Sequence, residues 1–323
     1  MKFEIVATAG TARAGLLTTR RGVVETPAFM PVATRATVKA AGPVEVAATG
    51  ARMVIMNTYH LWLRPGSDVV AGVGGLHEFA RWPFSIATDS GGFQAYSLAA
   101  RTRVSEAGFE FSSHLDGRRM LLSPEESMRV QGELGSDVAL QLDVCPPGGS
   151  DRPVLVEAVE RTTRWAERCL LARRSGQALF GIVQGGTDVE LRLAHAEALG
   201  ALPLDGLALG GFSVGEPREA MLRTLAAVGP SLDPARPHYL MGVGTPLDLV
   251  ERRLYGLRIG GVELERMCAP TGLGDLLDGP LRPAGSMLNE WQGYMAEGDL
   301  AEARRLALGI VVDWRDRGCP EPE

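Results

Sequence analysis

Two aspartates and a glutamine stand at the ends of apolar runs, each followed closely by glycine or proline. Asp89 lies in Thr88-Asp89-Ser90-Gly91-Gly92-Phe93-Gln94, Asp143 in Leu142-Asp143-Val144-Cys145-Pro146-Pro147, and Gln184 directly before Gly185-Gly186. Carboxylates on either side of a glycosidic bond can divide the work of acid, base and nucleophile. A carboxylate at Asp143 can also accept hydrogen bonds from the amino and imino groups of a purine-like ring, and the Gln184 amide offers both a donor and an acceptor to a flat heterocycle. The run Gly210-Gly211-Phe212-Ser213-Val214-Gly215-Glu216 leaves backbone amides bare for a carbonyl oxygen, so Gly211 and Phe212 join the candidate binding residues. Met241, in Met241-Gly242-Val243-Gly244, offers an apolar wall for a ring.

Each feature alone has a plainer reading, as an aspartate accepting amides in a turn or a glycine where a strand turns tightly into a helix. Five such endings on five different apolar runs exceed what packing requires. The histidines His60, His77, His114, His195 and His238 show no metal-ligand spacing, so no metal site is expected. His195, inside an amphipathic stretch, reads as structural, and His60 as a group near the edge of the site.

These residues need a scaffold that brings distant strand ends together. Strands are expected at Ala28 to Ala33, Met53 to Thr58, Ser85 to Ser90, Val138 to Val144, Leu179 to Gly185, Gly206 to Gly211, Tyr239 to Gly244 and Gly261 to Met267. Helical stretches follow them at Val38 to Thr49, Ser67 to Phe79, Pro124 to Leu134, Pro153 to Arg174, Asp188 to Leu202, Pro217 to Val228 and Pro246 to Tyr255. Strands alternating with helices imply a parallel sheet, and eight of them imply an α/β fold of the (β/α)8 TIM-barrel class, whose sites gather at the carboxyl ends of the strands. Alternation in Phe3 to Ala7 and Gly15 to Thr19 predicts a β-rich opening segment at the barrel floor. Phe109 to Leu115 and Arg118 to Leu122, around Asp116-Gly117, predict a hairpin inserted after the third strand, over the mouth. The chain is expected to be one domain: a β-rich segment over residues 1–25, the barrel over 26–271, and a carboxyl-terminal loop with closing helices over 272–323.

With 45% hydrophobic and 22% charged residues in 323, the chain can bury a substantial core. A formal charge of −6 argues against a globally basic coat for nucleic acid. Lys2 and Lys39 are the only lysines, so almost all positive charge is arginine. Cys145, Cys169, Cys268 and Cys319 form no CxxC pair or disulfide framework, which suits a reduced, cytoplasmic setting. No apolar run approaches the roughly 18 residues that span a bilayer, and no leader pattern opens the chain, so no membrane partner is expected.

Together the motifs resemble the tRNA-guanine transglycosylase (queuine/archaeosine tRNA-ribosyltransferase) superfamily, known for a barrel that exchanges guanine in tRNA for a 7-deazaguanine base. The resemblance is carried by Thr26-Pro27-Ala28-Phe29-Met30-Pro31-Val32-Ala33-Thr34, Asn57-Thr58-Tyr59-His60-Leu61, Asp89 to Gln94, Gly181-Ile182-Val183-Gln184-Gly185-Gly186 and His238 to Gly244. It implies that Asp89 is the acid/base group, that Asp143, Gln184 and the Gly211 backbone read the purine edge, and that Phe93 and Met241 sandwich the ring. The family attacks the ribose with an aspartate in a segment like G-(I/V)-D-M-F-D-C-V-x-P-T-R. Here that stretch reads Gly261-Val262-Glu263-Leu264-Glu265-Arg266-Met267-Cys268-Ala269-Pro270-Thr271-Gly272, with Arg266 at the nucleophile's place.

A guanidinium cannot form the covalent ester, so Glu265, Glu263, Asp143 or Asp89 would have to take over, and Arg266 could instead grip a substrate phosphate or carboxylate. The family's C-x-C-x2-C…H zinc module has no counterpart, so no cofactor is expected, and the arginine cluster that grips tRNA is missing. The expected function is binding of guanine or a 7-deazaguanine base and making or breaking a base–ribose N-glycosidic bond, on a nucleoside, nucleotide or, less favoured, tRNA. That makes the chain a candidate pentosyltransferase. The alternatives are a non-catalytic deazapurine-binding paralogue, acting as a homodimer or with a partner subunit, and a phosphate-metabolite barrel enzyme.

Overall fold

The computed structural model describes residues 1–9, 12–97 and 102–244. All lie in one compact unit, Met1–Glu251. The expected eighth strand, the helix from Pro246, and the boundary at 271 lie outside the described residues.

In chain order the elements are β1 (Lys2–Ala9), β2 (Ala12–Thr19), β3 (Gly22–Thr26), α1 (Pro43–Ala48), β4 (Met53–Met56), α2 (Thr58–Leu63), α3 (Ser67–Gly72), α4 (Leu76–Ala80), β5 (Ser85–Thr88) and α5 (Gly92–Ser97). There follow β6 (Thr102–Ser105), β7 (Gly108–Ser112), β8 (Arg119–Leu122), α6 (Pro124–Leu134), β9 (Val138–Leu140), α7 (Arg152–Ala172), β10 (Ala178–Val183), α8 (Val189–Gly200), β11 (Gly206–Leu209), α9 (Arg218–Val228) and β12 (His238–Leu240). Six strands form one parallel sheet, ordered β12-β11-β10-β9-β5-β4. Next to β4, the run Ala28 to Ala33 adds only a single parallel bridge, Val32 to Ile55. Pro27 and Pro31 have no N–H to give a ladder, and the contact is held by Ile55 N to Pro31 O and Ala33 N to Ile55 O.

Alternation along the strands sorts two faces. Ile55, Ala87, Val138, Leu140, Phe180, Ile182 and Ala208 meet in one interior cluster with Leu17 and Val24. Ile55 of the edge strand β4 belongs to this core and Tyr239 of the opposite edge strand β12 packs against it, as a curled TIM-type barrel sheet requires. The intervening Val54, Met56, Ile86, Ala139, Leu179 and Leu207 pack outward against the helices.

The amino-terminal sheet, ordered β1-β2-β3, lies at the amino ends of the barrel strands. Thr19 Oγ1 meets Ser85 Oγ at 2.8 Å, the Arg20 guanidinium donates to Ser136 O at 3.1 Å, and Arg13 reaches the carbonyls of Pro234 and Arg236. It thus occupies the floor, with β3 beyond the two expected strands.

Two helices are shorter than their sequence suggests. The stretch from Val38 becomes helical only at Pro43, whose fixed φ suits the first turn, and Ala40 sits at φ 61°. The stretch from Ser67 breaks into α3 and α4 at Gly74 and Gly75, whose φ values are 100° and 90°. The expected hairpin is a three-stranded antiparallel sheet, β6-β7-β8. Its Phe109 packs edge-on against Trp165 of α7 with ring centroids 5.4 Å apart, and Glu106 pairs with Arg164 at 2.9 Å.

Candidate functional site

The ladders stop short of the residues that matter: β5 ends at Thr88, β10 at Val183 and β9 at Leu140. Asp89 and Gln184 continue the inward parity of Ala87 and Ile182, while Asp143 arrives three residues beyond its ladder. The Asp89 amide still donates to Met56 O of β4 at 3.1 Å, and all three side chains are fixed by hydrogen bonds of their own.

Asp89 is held from the β4–α2 junction. Asn57 Nδ2 donates to its Oδ2 at 2.6 Å, while the amides of Thr58 and Gly91 donate to Oδ1 at 3.0 and 3.1 Å. Asn57 is itself locked as the N-cap of α2, its Oδ1 accepting from His60 N at 2.9 Å. Burial pushes the Asp89 carboxyl up to about 7 against these three donors, with the nearby Asp143 adding to the rise.

Asp143 is buried. Gln184 Nε2 donates to its Oδ2 at 2.6 Å and Ser90 Oγ to its Oδ1 at 3.4 Å. Burial pushes it up to about 6, with the Gln184 and Ser90 bonds opposing. Ser90 therefore links the two carboxyls through one dipeptide. A group titrating near neutrality can change protonation during a reaction, and two such groups side by side suit acid/base work.

Gln184 Oε1 is buried and has no hydrogen-bond partner. A Cβ on Gly211 would sit 2.4 Å from that oxygen, so only glycine, here at φ 67°, lets the two strand ends approach this closely. Phe93 is 47% exposed beside this cluster, a free ring face. With Val104, Phe109, Val144, Cys145 and Val154 it lines a cavity of about 170 Å³ between the insertion sheet and α7, whose lining does not include Asp143, Gln184 or Gly211. Met241 is half-buried against the interior cluster. Phe212 is buried, its ring lying 3.8 Å beneath the Arg192 guanidinium, so its side chain is engaged by the protein. Glu265 and Arg266 lie outside the described residues.

Burial pushes the Cys145 thiol up to about 12, helped by Asp143, and this keeps it protonated at neutral pH. Among the described residues, no group of three or more His, Cys, Asp or Glu side chains could hold a metal ion. No helix among them is long and apolar enough to cross a membrane.

Sequence reasoning missed Arg192 and set His195 aside. Arg192 is fully buried and donates to the carbonyls of Gly186 (2.5 Å), Val183 (3.2 Å), Gly210 (2.7 Å) and Gly211 (3.4 Å). His195 Nδ1 accepts from Gln184 N at 2.9 Å. Arg192 and His195 are three residues apart in an arginine-rich chain, and the sequence gives no sign which arginine is buried.

The parallel sheet, the floor and the paired carboxyls at the strand ends define a β/α-barrel protein with a polar constellation at its mouth. Residues 8–257 match the queuine tRNA-ribosyltransferase family. A protein named queuine tRNA-ribosyltransferase from Sorangium cellulosum (strain So ce56) is 64% identical over 248 residues, covering 77% of this chain and 63% of the relative. Relatives of the same name are 51% identical over 252 residues in Azotobacter vinelandii (strain DJ / ATCC BAA-1303), covering 78% of this chain and 68% of the relative, and 50% identical over 273 residues in Pseudomonas syringae pv. tomato (strain ATCC BAA-871 / DC3000), covering 84% and 72%. The chain belongs to the queuine tRNA-ribosyltransferase family. It spans about two thirds of these relatives' length, and the family match ends before Glu263, Glu265 and Arg266.

Proposed function

We propose that the chain binds guanine or a 7-deazaguanine base at Asp143, Gln184 and Gly211, and makes or breaks the bond between that base and a ribose. The observation that carries this reading is the buried Asp143–Gln184 pair, 2.6 Å apart, with the unpartnered Gln184 oxygen and the Asp89 carboxyl beside it. In this reading an ionised Asp143 accepts two N–H groups from a purine edge, the Gly211 backbone is free of a Cβ, and the exposed Phe93 ring and Met241 supply the apolar faces for the ring. Asp89, poised near neutrality, donates a proton to the departing ring nitrogen when the bond breaks and takes one from the incoming ring nitrogen when it forms. The relatives' names support tRNA as the ribose donor, although the chain's net negative charge gives it no general pull on a polyanion. The reading needs no metal or other cofactor, and it is set in a reduced cytoplasm.

Arg266 favours a second reading, in which the base is held without turnover. Calorimetric titration with guanine, together with incorporation of labelled guanine into tRNA or a nucleoside, separates the two. Binding with exchange supports the first, binding alone supports the second, and no binding removes both. Arg266→Asp is expected to bring exchange closer to the family's chemistry. Failure of both parent and variant to trap a ribosyl adduct leaves recognition as the role.

A further inference from the structure

We infer that Arg192 is the positioning residue of the base pocket, a buried clamp that sets the distance between the two strand ends that would read the purine. The inference rests on the proposed base-binding role.

The starting point is α8, whose N-cap Asp188 accepts from Leu191 N at 3.0 Å. A residue three further along a helix returns to the same face, so Arg192 and His195 both turn toward the sheet. There Arg192 meets two successive strand-to-helix junctions. Its Nε and Nη1 bind the junction after β10, at Gly186 and Val183, and its Nη2 binds the junction after β11, at Gly210 and Gly211. These carbonyls flank Gln184 on both sides and include the backbone of Gly211 itself.

Among the described residues, no carboxylate pairs with this guanidinium; its partners are carbonyl oxygens and the Phe212 ring. The Glu216 carboxylate acts on it only through space; a buried cation with no hydrogen-bonded counter-ion is costly, and a site that served only packing would be better filled by an apolar side chain. What a guanidinium supplies and an alkyl group cannot is a rigid fork of donors that holds several oxygens at fixed spacing. The neighbouring glycines are cut to fit it: a Cβ on Gly185 would lie 2.9 Å from Arg192 Cγ, and one on Gly211 3.3 Å from its Nη2. His195 completes the frame by taking the Gln184 amide hydrogen, which orients the backbone from which the Gln184 side chain reaches Asp143.

Arg192 therefore does not touch the base. It acts through Gln184 and Gly211, whose separation must match the width of a purine edge. Lysine keeps the charge but gathers its donors at one point, so it cannot span four carbonyls.

The test compares Arg192→Lys and Arg192→Gln with the parent chain by two measurements. The first is the dissociation constant for guanine across pH 5 to 8 under conditions where each protein is folded. The expected result is weakening of about tenfold or more in both variants, with no change in the pH at which binding switches. A role in stability alone would leave the affinity of the folded protein unmoved. The second is hydrogen exchange in the ligand-free proteins, where the amides of Gln184–Gly186 and Gly210–Ser213 should lose protection while those of β4 keep theirs. If the arginine variants do not fold, His195→Leu, which leaves Gln184 N without an acceptor, must reproduce the loss of guanine affinity. Guanine binding by the parent, with equal affinity and equal exchange in the folded variants, overturns the clamp. Failure of the parent itself to bind guanine overturns the base-binding reading instead, and the assignment of Arg192 to a base pocket with it.

Discussion

Asp143 and Gln184 are each other's partner as well as candidate partners for a ligand. The Gln184 amide donates to one Asp143 oxygen at 2.6 Å. Removing either leaves a buried polar group unsatisfied in the free protein and removes contacts to the base in the complex. Asp143→Ala and Gln184→Ala are each expected to weaken guanine binding by about 1 to 3 kcal/mol, read by calorimetry. Unchanged affinity in both would remove this pocket. The three polar residues were legible in the sequence because each ends an apolar run and precedes glycine or proline. Arg192 was not, since its function is defined by carbonyls scattered from Val183 to Gly211, and no local pattern encodes a partner that is backbone.

At the scale of elements, α7 shows what periodicity reads well. Leu155, Ala158, Val159, Trp165, Ala166 and Cys169 fall on one helical face, and all six are buried. Strand ends read less well, because hydrophobic runs continue past the last ladder hydrogen bond; the run from Val138 leaves the ladder after Leu140. The strand β6 was invisible, being four residues of mixed polarity paired to β7. Its sheet is nevertheless anchored. Trp165 is fully buried, meets Phe109 edge-on and donates from Nε1 to Glu106 O at 3.0 Å. Trp165→Ala should therefore cost about 3 to 5 kcal/mol of stability, measured by urea unfolding, and increase proteolysis between Thr102 and Leu122 in particular. A loss below about 1 kcal/mol would mean that the insertion is held elsewhere.

Across the whole molecule, the raised carboxyls and the lowered histidines pull stability in opposite directions. Asp89 and Asp143, at about 7 and about 6 when folded, titrate near 3.9 when unfolded. Between those values the folded chain binds more protons, so its stability falls as pH rises from about 4 to about 7 and then levels off. Burial pushes His195 and His238 down to about 4, so they remain neutral where the unfolded chain protonates them. Their contribution rises from about pH 4 to about 6.5. The parent's profile mixes both slopes, and the informative quantity is the difference between parent and Asp143→Asn. The variant should gain on the parent as pH rises from about 4 to about 6, measured by urea unfolding at pH 4.5, 6 and 8. A constant offset would show that Asp143 ionises as freely in the folded chain as in the unfolded one.

The floor of the barrel has a temporal consequence. Arg13 fastens to carbonyls of Pro234 and Arg236, more than two hundred residues later in the chain. At the about 5 to 20 residues per second of protein synthesis, the first three strands wait on the order of ten seconds or more for the segment they clasp. Leu17 and Val24, buried against the interior cluster in the finished protein, gain their cover strand by strand as β4, β5, β9, β10 and β11 are made. Of the described strands, β1 to β3 therefore wait longest for their last contacts.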